Sequence, residues 1–269
     1  MRRALTFLAA LTFLAALSLW LPGAAQATVT KTLVGSGTCV TAASSCTGNF
    51  TTTIAIGSIV EIEITVGGQA QSYVFTITDS GGNVYGGAGA GSTNKTTLNS
   101  VNNASLVMGY TLSTTAGLTS ASTFTVTSSA STFPYVMQAF VLTGVSKVGS
   151  VGTSVSGTWT SGTPNTFATT PVLGYTSEYA DAIIGGLGNT ADTMGTYANG
   201  FAAVSSITTS SSNRGVMFIS GQTVTSGTPT LVATPTSSGG RAYSSIIIYW
   251  VVTGAVKIGC GGCGLLKGL

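Results

Sequence analysis

The chain has 269 residues, 43% of them apolar, with nine basic and six acidic side chains and no histidine. Without histidine, Ser-His-Asp and Cys-His catalysis are excluded, and the commonest zinc ligand is missing. So few charges, so evenly balanced, leave no electrostatic footprint for nucleic acid or anionic lipid.

The first 27 residues have the layout of a Sec leader. Arg2 and Arg3 precede an uncharged, mostly apolar run from Ala4 to Leu21, Pro22 and Gly23 break any helix, and Ala25 and Ala27 supply the small residues of a cleavage site. The alternative is an uncleaved anchor, since the run reaches the lower edge of spanning length; the helix breaker and the A-x-A motif both favour cleavage. Thr28, not a cysteine, stands directly after the expected cleavage point, so no lipoprotein signal is read there. The expected product is an exported, extracellular or cell-surface chain without a membrane span. Seven basic residues then remain against six acidic ones, and the scattered bases, Lys31 among them, read as solvated surface groups.

The body, residues 28–256, is long enough for a sizeable core and rich in Ser, Thr, Gly and β-branched residues. Helical periodicity is nearly absent past the leader, and strand signals are frequent. In "SIVEIEITVGG" the alternation puts Val60, Ile62, Ile64 and Val66 on a core face and Glu61 and Glu63 outward. "FTITDSGGN" runs from strand into a turn at Asp79–Asn83. Further strands are predicted over 105–112, 123–128, 135–145, 181–187, 201–207, 215–224, 230–235 and 244–252. The last, "SIIIYWVV", lacks alternation and reads as a central strand covered on both faces. The predicted fold is an all-β, antiparallel two-sheet β-sandwich, jelly-roll-like.

Two segments look alike. Residues 105–145 and 214–256 both start near Val-Met, at Val107–Met108 and Val216–Met217, and both close on Thr-Gly, at Thr143–Gly144 and Thr253–Gly254. Similar halves over about 54–145 and 166–256 would pack face to face on a shared core. The competing explanation is that Ser/Thr/Val-rich strands resemble one another by composition.

The pattern Asp79, Ser80, Gly82, Asn83, Tyr85, then Thr125–Ser128, then Leu142–Val145, resembles β-sandwich modules of bacterial secreted and surface proteins and of some phage structural proteins. The resemblance covers most of residues 54–252. It implies a fold and a structural role, and it carries no catalytic residues.

Chemistry is sparse. Glu61 and Glu63 share a strand face at roughly 6.6 Å, within the broad range of glycosidase carboxylate pairs. An outward strand made soluble by two charges explains them better. Glu178 is a further carboxylate, and with Asp181 it reads as the start of a strand after a loop. Asp79 and Asn83 offer oxygens for a calcium ion, against the plainer reading of a tight turn. Trp159 sits in a polar segment and is expected to be exposed. With Tyr175 and Tyr179, and with Tyr197 nearby in sequence, it is the candidate surface for a glycan or a cell-surface partner. Trp250 is assigned to the core. No cofactor is expected, and self-association into a homo-oligomer is compatible with the sequence.

Four cysteines in an exported chain favour disulfides. Local bridges Cys39–Cys46 and Cys260–Cys263 are preferred among the three pairings; cross-links between the chain ends need only adjacent termini. A redox C-G-G-C or a four-thiolate zinc site fits the Gly/Cys-rich tail, residues 257–269, less well. The function expected is non-enzymatic: a structural or adhesive protein, with a carbohydrate-binding module or a glycan-active hydrolase as alternatives.

Overall fold

A computed structural model describes residues 27–258 except for 42, 68–74, 87–103, 112, 133–134, 152–154, 169–172, 189–191, 209–213, 228–229 and 237–240. The leader and the tail carrying Cys260 and Cys263 lie outside the described residues. Sixteen strands and no helix occur among those described.

In chain order the first half holds β1 (Thr30–Cys39), β2 (Ala43–Phe50), β3 (Ile59–Gly67), β4 (Phe75–Asp79), β5 (Ala104–Thr111), β6 (Thr123–Thr132) and β7 (Tyr135–Thr143). The second holds β8 (Val145–Val151), β9 (Val155–Trp159), β10 (Asn165–Ala168), β11 (Glu178–Gly188) and β12 (Thr193–Tyr197). It ends with β13 (Ala202–Thr208), β14 (Arg214–Val224), β15 (Leu231–Thr236) and β16 (Arg241–Val252).

All named pairings are antiparallel. The first sheet runs β4-β6-β2-β1-β7-β3-β5; the second runs β13-β14-β11-β16-β8, with β9 also on β16; the third is β10-β15-β12. The fold is therefore all-β, with antiparallel sheets packed on one another, as the alternation of apolar residues requires. The strands spread over three sheets, and the neighbour of β16 in the second is divided. β8 pairs with its C-terminal part and β9 with its N-terminal part, whereas β1 follows β7 along its whole length. Asn199 and Gly200, at φ of 58° and 85°, turn the chain from the third sheet into the second.

Alternation sorts side chains into three buried layers. Val60, Ile62, Ile64 and Val66 of β3 join Phe50 and Phe124 on the inner side of the first sheet, with the two rings 5.1 Å apart. Fully burying each such aliphatic side chain contributes about 1.5–3 kcal/mol. The middle layer lies between the first and second sheets. Val136, Phe140 and Leu142 of β7 meet Ile246, Ile248 and Trp250 of β16 there. The intervening residues of β16, Ile247 and Tyr249, point into the third layer, against the third sheet. This two-sided burial explains why "SIIIYWVV" shows no alternation.

Trp159 belongs to the third layer. It is 1% exposed, stacked on Tyr243 at 6.3 Å and set edge-on to Phe167 and Phe218. The expectation that it is exposed is corrected: its polar neighbours in sequence lie on the solvent side of β9 or in the turn beyond it. The strands that escape the sequence reading, β1, β2, β8, β9, β10 and β12, are Ser-, Thr- and Gly-rich and recruit their aliphatic contacts from other strands.

Gly48 of β2 lies opposite Phe124, and a Cβ there would drive into the Phe124 ring. Because that ring is already packed on Phe50, Gly48→Ala should lower stability by about 1–3 kcal/mol in urea unfolding, whereas Gly227→Ala, facing open space, should cost only the strain of its positive φ.

Candidate functional site: a buried lysine among three carboxylates

Lysine and glutamate stay in water unless partners replace their hydration. The middle layer nevertheless holds a charged group. Lys31 of β1, Glu61 and Glu63 of β3, and Asp181 of β11 meet there, every side chain at most 1% exposed. Lys31 Nζ lies 2.9 Å from Glu61 Oε2 and 2.6 Å from Glu63 Oε1, and it also contacts Asp181 Oδ2. The Phe140 ring centroid sits 4.4 Å from the same nitrogen. Phe140 is the ladder partner of Glu61 on one side and of Leu33 on the other, so its ring roofs the group. Beside it, Gln138, the ladder partner of Glu63, donates from Nε2 to Ser205 Oγ at 2.7 Å and ties β7 to β13.

Two expectations are corrected here. Glu61 and Glu63 do not face water; both are 0% exposed. Their side of β3 is covered by the second sheet, so alternation correctly divides the strand into faces while misassigning the polar one. Lys31 is likewise no solvated surface group, its side chain being 1% exposed.

Burial pulls the Lys31 ammonium down, but Asp181, Glu61 and Glu63 outweigh it and hold the group well above the ordinary lysine range. Burial and then the charge of Asp181 push Glu61 well up, against the pull of Lys31. Burial pushes Glu63 up to about 8, again against Lys31. One cation facing three carboxyl groups in a dry layer cannot leave all three ionised. Burial and the neighbouring Asp181 carboxyl favour the protonated form of Glu61. The carboxylate oxygens lie within 4.8 Å of one another, as a metal would require, but the Lys31 nitrogen contacts all three and occupies the place a cation would take.

The other candidates do not converge on this group as a site. Asp79 Oδ1 accepts the backbone N–H groups of Gly81 and Asn83, and Oδ2 accepts Asn83 Nδ2 and the Tyr85 hydroxyl. Asn83 Oδ1 accepts from Thr115 and Ala116. The calcium reading of Asp79 and Asn83 is corrected on that ground: their oxygens already face donors, and Gly82 at φ 75° completes the turn. The Asp-Ser-Gly-Gly-Asn-Val-Tyr stretch is thus a clamp joining the end of β4 to the loop near Ala116. Tyr179 is buried at 7% exposure, Tyr175 is half-buried with Lys147 over its ring at 4.9 Å, and neither shares a face with Trp159. Glu178 opens β11, as expected, but fully buried; burial pushes it up, against a backbone hydrogen bond from Gly174. Cys39 and Cys46 form a disulfide between β1 and β2.

The sequence reading missed Lys31 and Asp181. The available signal was a charge inside each strand-forming run, "TKTLV" and "DAII". Compared with known proteins, the chain finds no matching family model, no matching curated protein and no matching solved structure.

Two outcomes follow from the geometry. Glu63 keeps its proton in the fold up to about 8, and loses it near 4.5 when unfolded. The native state therefore binds more protons through that window, and stability falls as pH rises across it. Thermal unfolding temperatures should decline between those values, and Glu63→Gln should flatten the decline. Separately, Asp79→Ala strips an acceptor from four donors and should cost about 1–3 kcal/mol or more in urea unfolding.

Proposed function

We propose that the chain is a non-enzymatic structural or adhesive β-sandwich protein, exported to a cell surface, an extracellular matrix or a phage-type particle. One observation carries this reading: none of the six acidic side chains faces solvent freely. Five are buried and the sixth, Asp79, is held within its turn. A glycan-active hydrolase needs two carboxyl groups converging on a bond in an open cleft, and here Glu61 and Glu63 are sealed between sheets. The Cys39–Cys46 bridge supports an oxidising compartment, as does the leader-like N-terminus. The resemblance to secreted and surface modules points the same way.

A carbohydrate-binding role draws on a different observation. A cavity of about 340 Å³ between β12, β13 and β14 is lined by Met194, the half-buried Tyr197 and Phe218, with Asp192 at its edge. An aromatic ring beside a carboxylate is what a sugar face and its hydroxyls use. Tyr197, not Trp159, is the ring available to it.

Incubation with a panel of polysaccharides should release no reducing ends. Release that Glu178→Gln abolishes would overturn the non-enzymatic reading. Glycan-array binding weakened at least tenfold by Tyr197→Ala would favour the sugar-binding role over a purely structural one.

A further inference from the structure

We propose that Lys31 and Asp181 become joined by an intramolecular isopeptide bond, Nζ to Cγ, which staples β1 of the first sheet to β11 of the second. The inference concerns this side-chain group alone and holds whether or not the chain is exported.

Three features of the group point to it. First, the amine and the carboxyl group are in direct contact, and both are fixed by central strands: β1 lies between β2 and β7, β11 between β14 and β16. Such fixed contact replaces a bimolecular encounter and supplies a large effective concentration. Second, both groups are sealed from water, with Phe140 over the nitrogen. In a dry, apolar layer the ion pair has little hydration to stabilise it against the neutral amine and acid, and the released water has somewhere more favourable to go. Third, two more carboxyl groups stand at the reacting atoms. Glu63 accepts a hydrogen bond from Lys31, and Glu61 lies 2.9 Å from the same nitrogen with a carboxyl oxygen within 4.8 Å of one on Asp181. One is placed to take a proton from nitrogen and the other to give one to oxygen, the two transfers that amide formation needs. A simple buried ion pair would need one carboxylate for one ammonium; this arrangement has two to spare.

The step balances without an added reactant. In its ionised form Glu63 takes one proton from the Lys31 ammonium, and the freed lone pair adds to Cγ of Asp181 to form the C–N bond. Glu61 protonates the Asp181 oxygen that departs, and the C–O bond breaks. The two protons that nitrogen loses end on that oxygen, which leaves as water. Glu61 and Glu63 finish in the states in which they began. Lys31 and Asp181 are consumed, so neither is a catalyst; Glu61 and Glu63 are the catalytic residues.

The test is intact-mass spectrometry of the reduced, fully unfolded chain, after circular dichroism has shown that the preparation was folded β structure. The expected mass is that of the processed sequence less one water. Trypsin should then fail to cut after Lys31, and the peptide ending at Lys95 should appear joined to the one running from Val148 to Arg214. Lys31→Arg and Asp181→Ala should show no water loss and no joined peptide. Asp181→Asn is the decisive variant, because a carboxamide loses ammonia in place of water. Its linked product should have the same mass as the linked parent chain, a coincidence that no structural role produces. Glu61→Gln should slow or abolish linkage, seen as the unlinked mass in folded protein. A folded parent chain with the full hydrated mass and free cleavage after Lys31 would overturn the proposal, as would an Asp181→Asn chain that retains its ammonia while folded.

Discussion

The structure depends on one electrostatic arrangement: a lysine ammonium held among three carboxyl groups where water cannot reach. Ions of one sign alone could not be buried there. Lys31 makes the carboxylates tolerable, and the carboxylates make the ammonium tolerable. The first and second sheets close on this group, with Phe140 over it and the Gln138–Ser205 hydrogen bond beside it. A layer of Leu, Ile and Trp would hold two sheets together as well or better. The charged group adds geometric definition, since its contacts are satisfied in one alignment of β1, β3 and β11.

The rest of the chain builds a frame for that alignment. β3 and β7 each send alternate residues into the inner core of the first sheet and into the middle layer. β16 does the same between the middle layer and the third sheet. Strands buried on both faces have no freedom to slip by one residue, because a slip would exchange the two faces. The clamp at Asp79, Asn83 and Tyr85 fixes the end of the edge strand β4, and the bridge from Cys39 to Cys46 ties β1 to β2 within that frame.

Much of this is legible in the amino-acid order, and the limits are physical. Aliphatic alternation in "SIVEIEITV" and its absence in "SIIIYWVV" report burial on one or both faces. The turn at Asp79–Asn83 is legible because its residues act on their own backbone. Two kinds of information are not local. Whether the polar face of β3 meets water depends on a sheet more than a hundred residues away in the chain, which is why Glu61, Glu63 and Lys31 read as surface groups. Trp159 presents the converse case: its polar neighbours lie on the far side of a strand whose inner face is closed by Phe167, Phe218 and Tyr243. The Ser/Thr/Gly-rich strands are silent because their pairing energy comes from partners that supply the apolar contacts.

Sequestering the acids has an effect on how the folded particle behaves in solution. Its described exterior carries no freely hydrated side-chain carboxylate, while Lys147 and Lys257 remain outside. Between mildly acidic and mildly alkaline conditions such a shell gains and loses almost no protons. Surface hydration should stay nearly constant across that range, and net charge should change mainly as the buried group titrates. The proton traffic that most proteins conduct at their skin is confined, in this one, to the seam between two sheets.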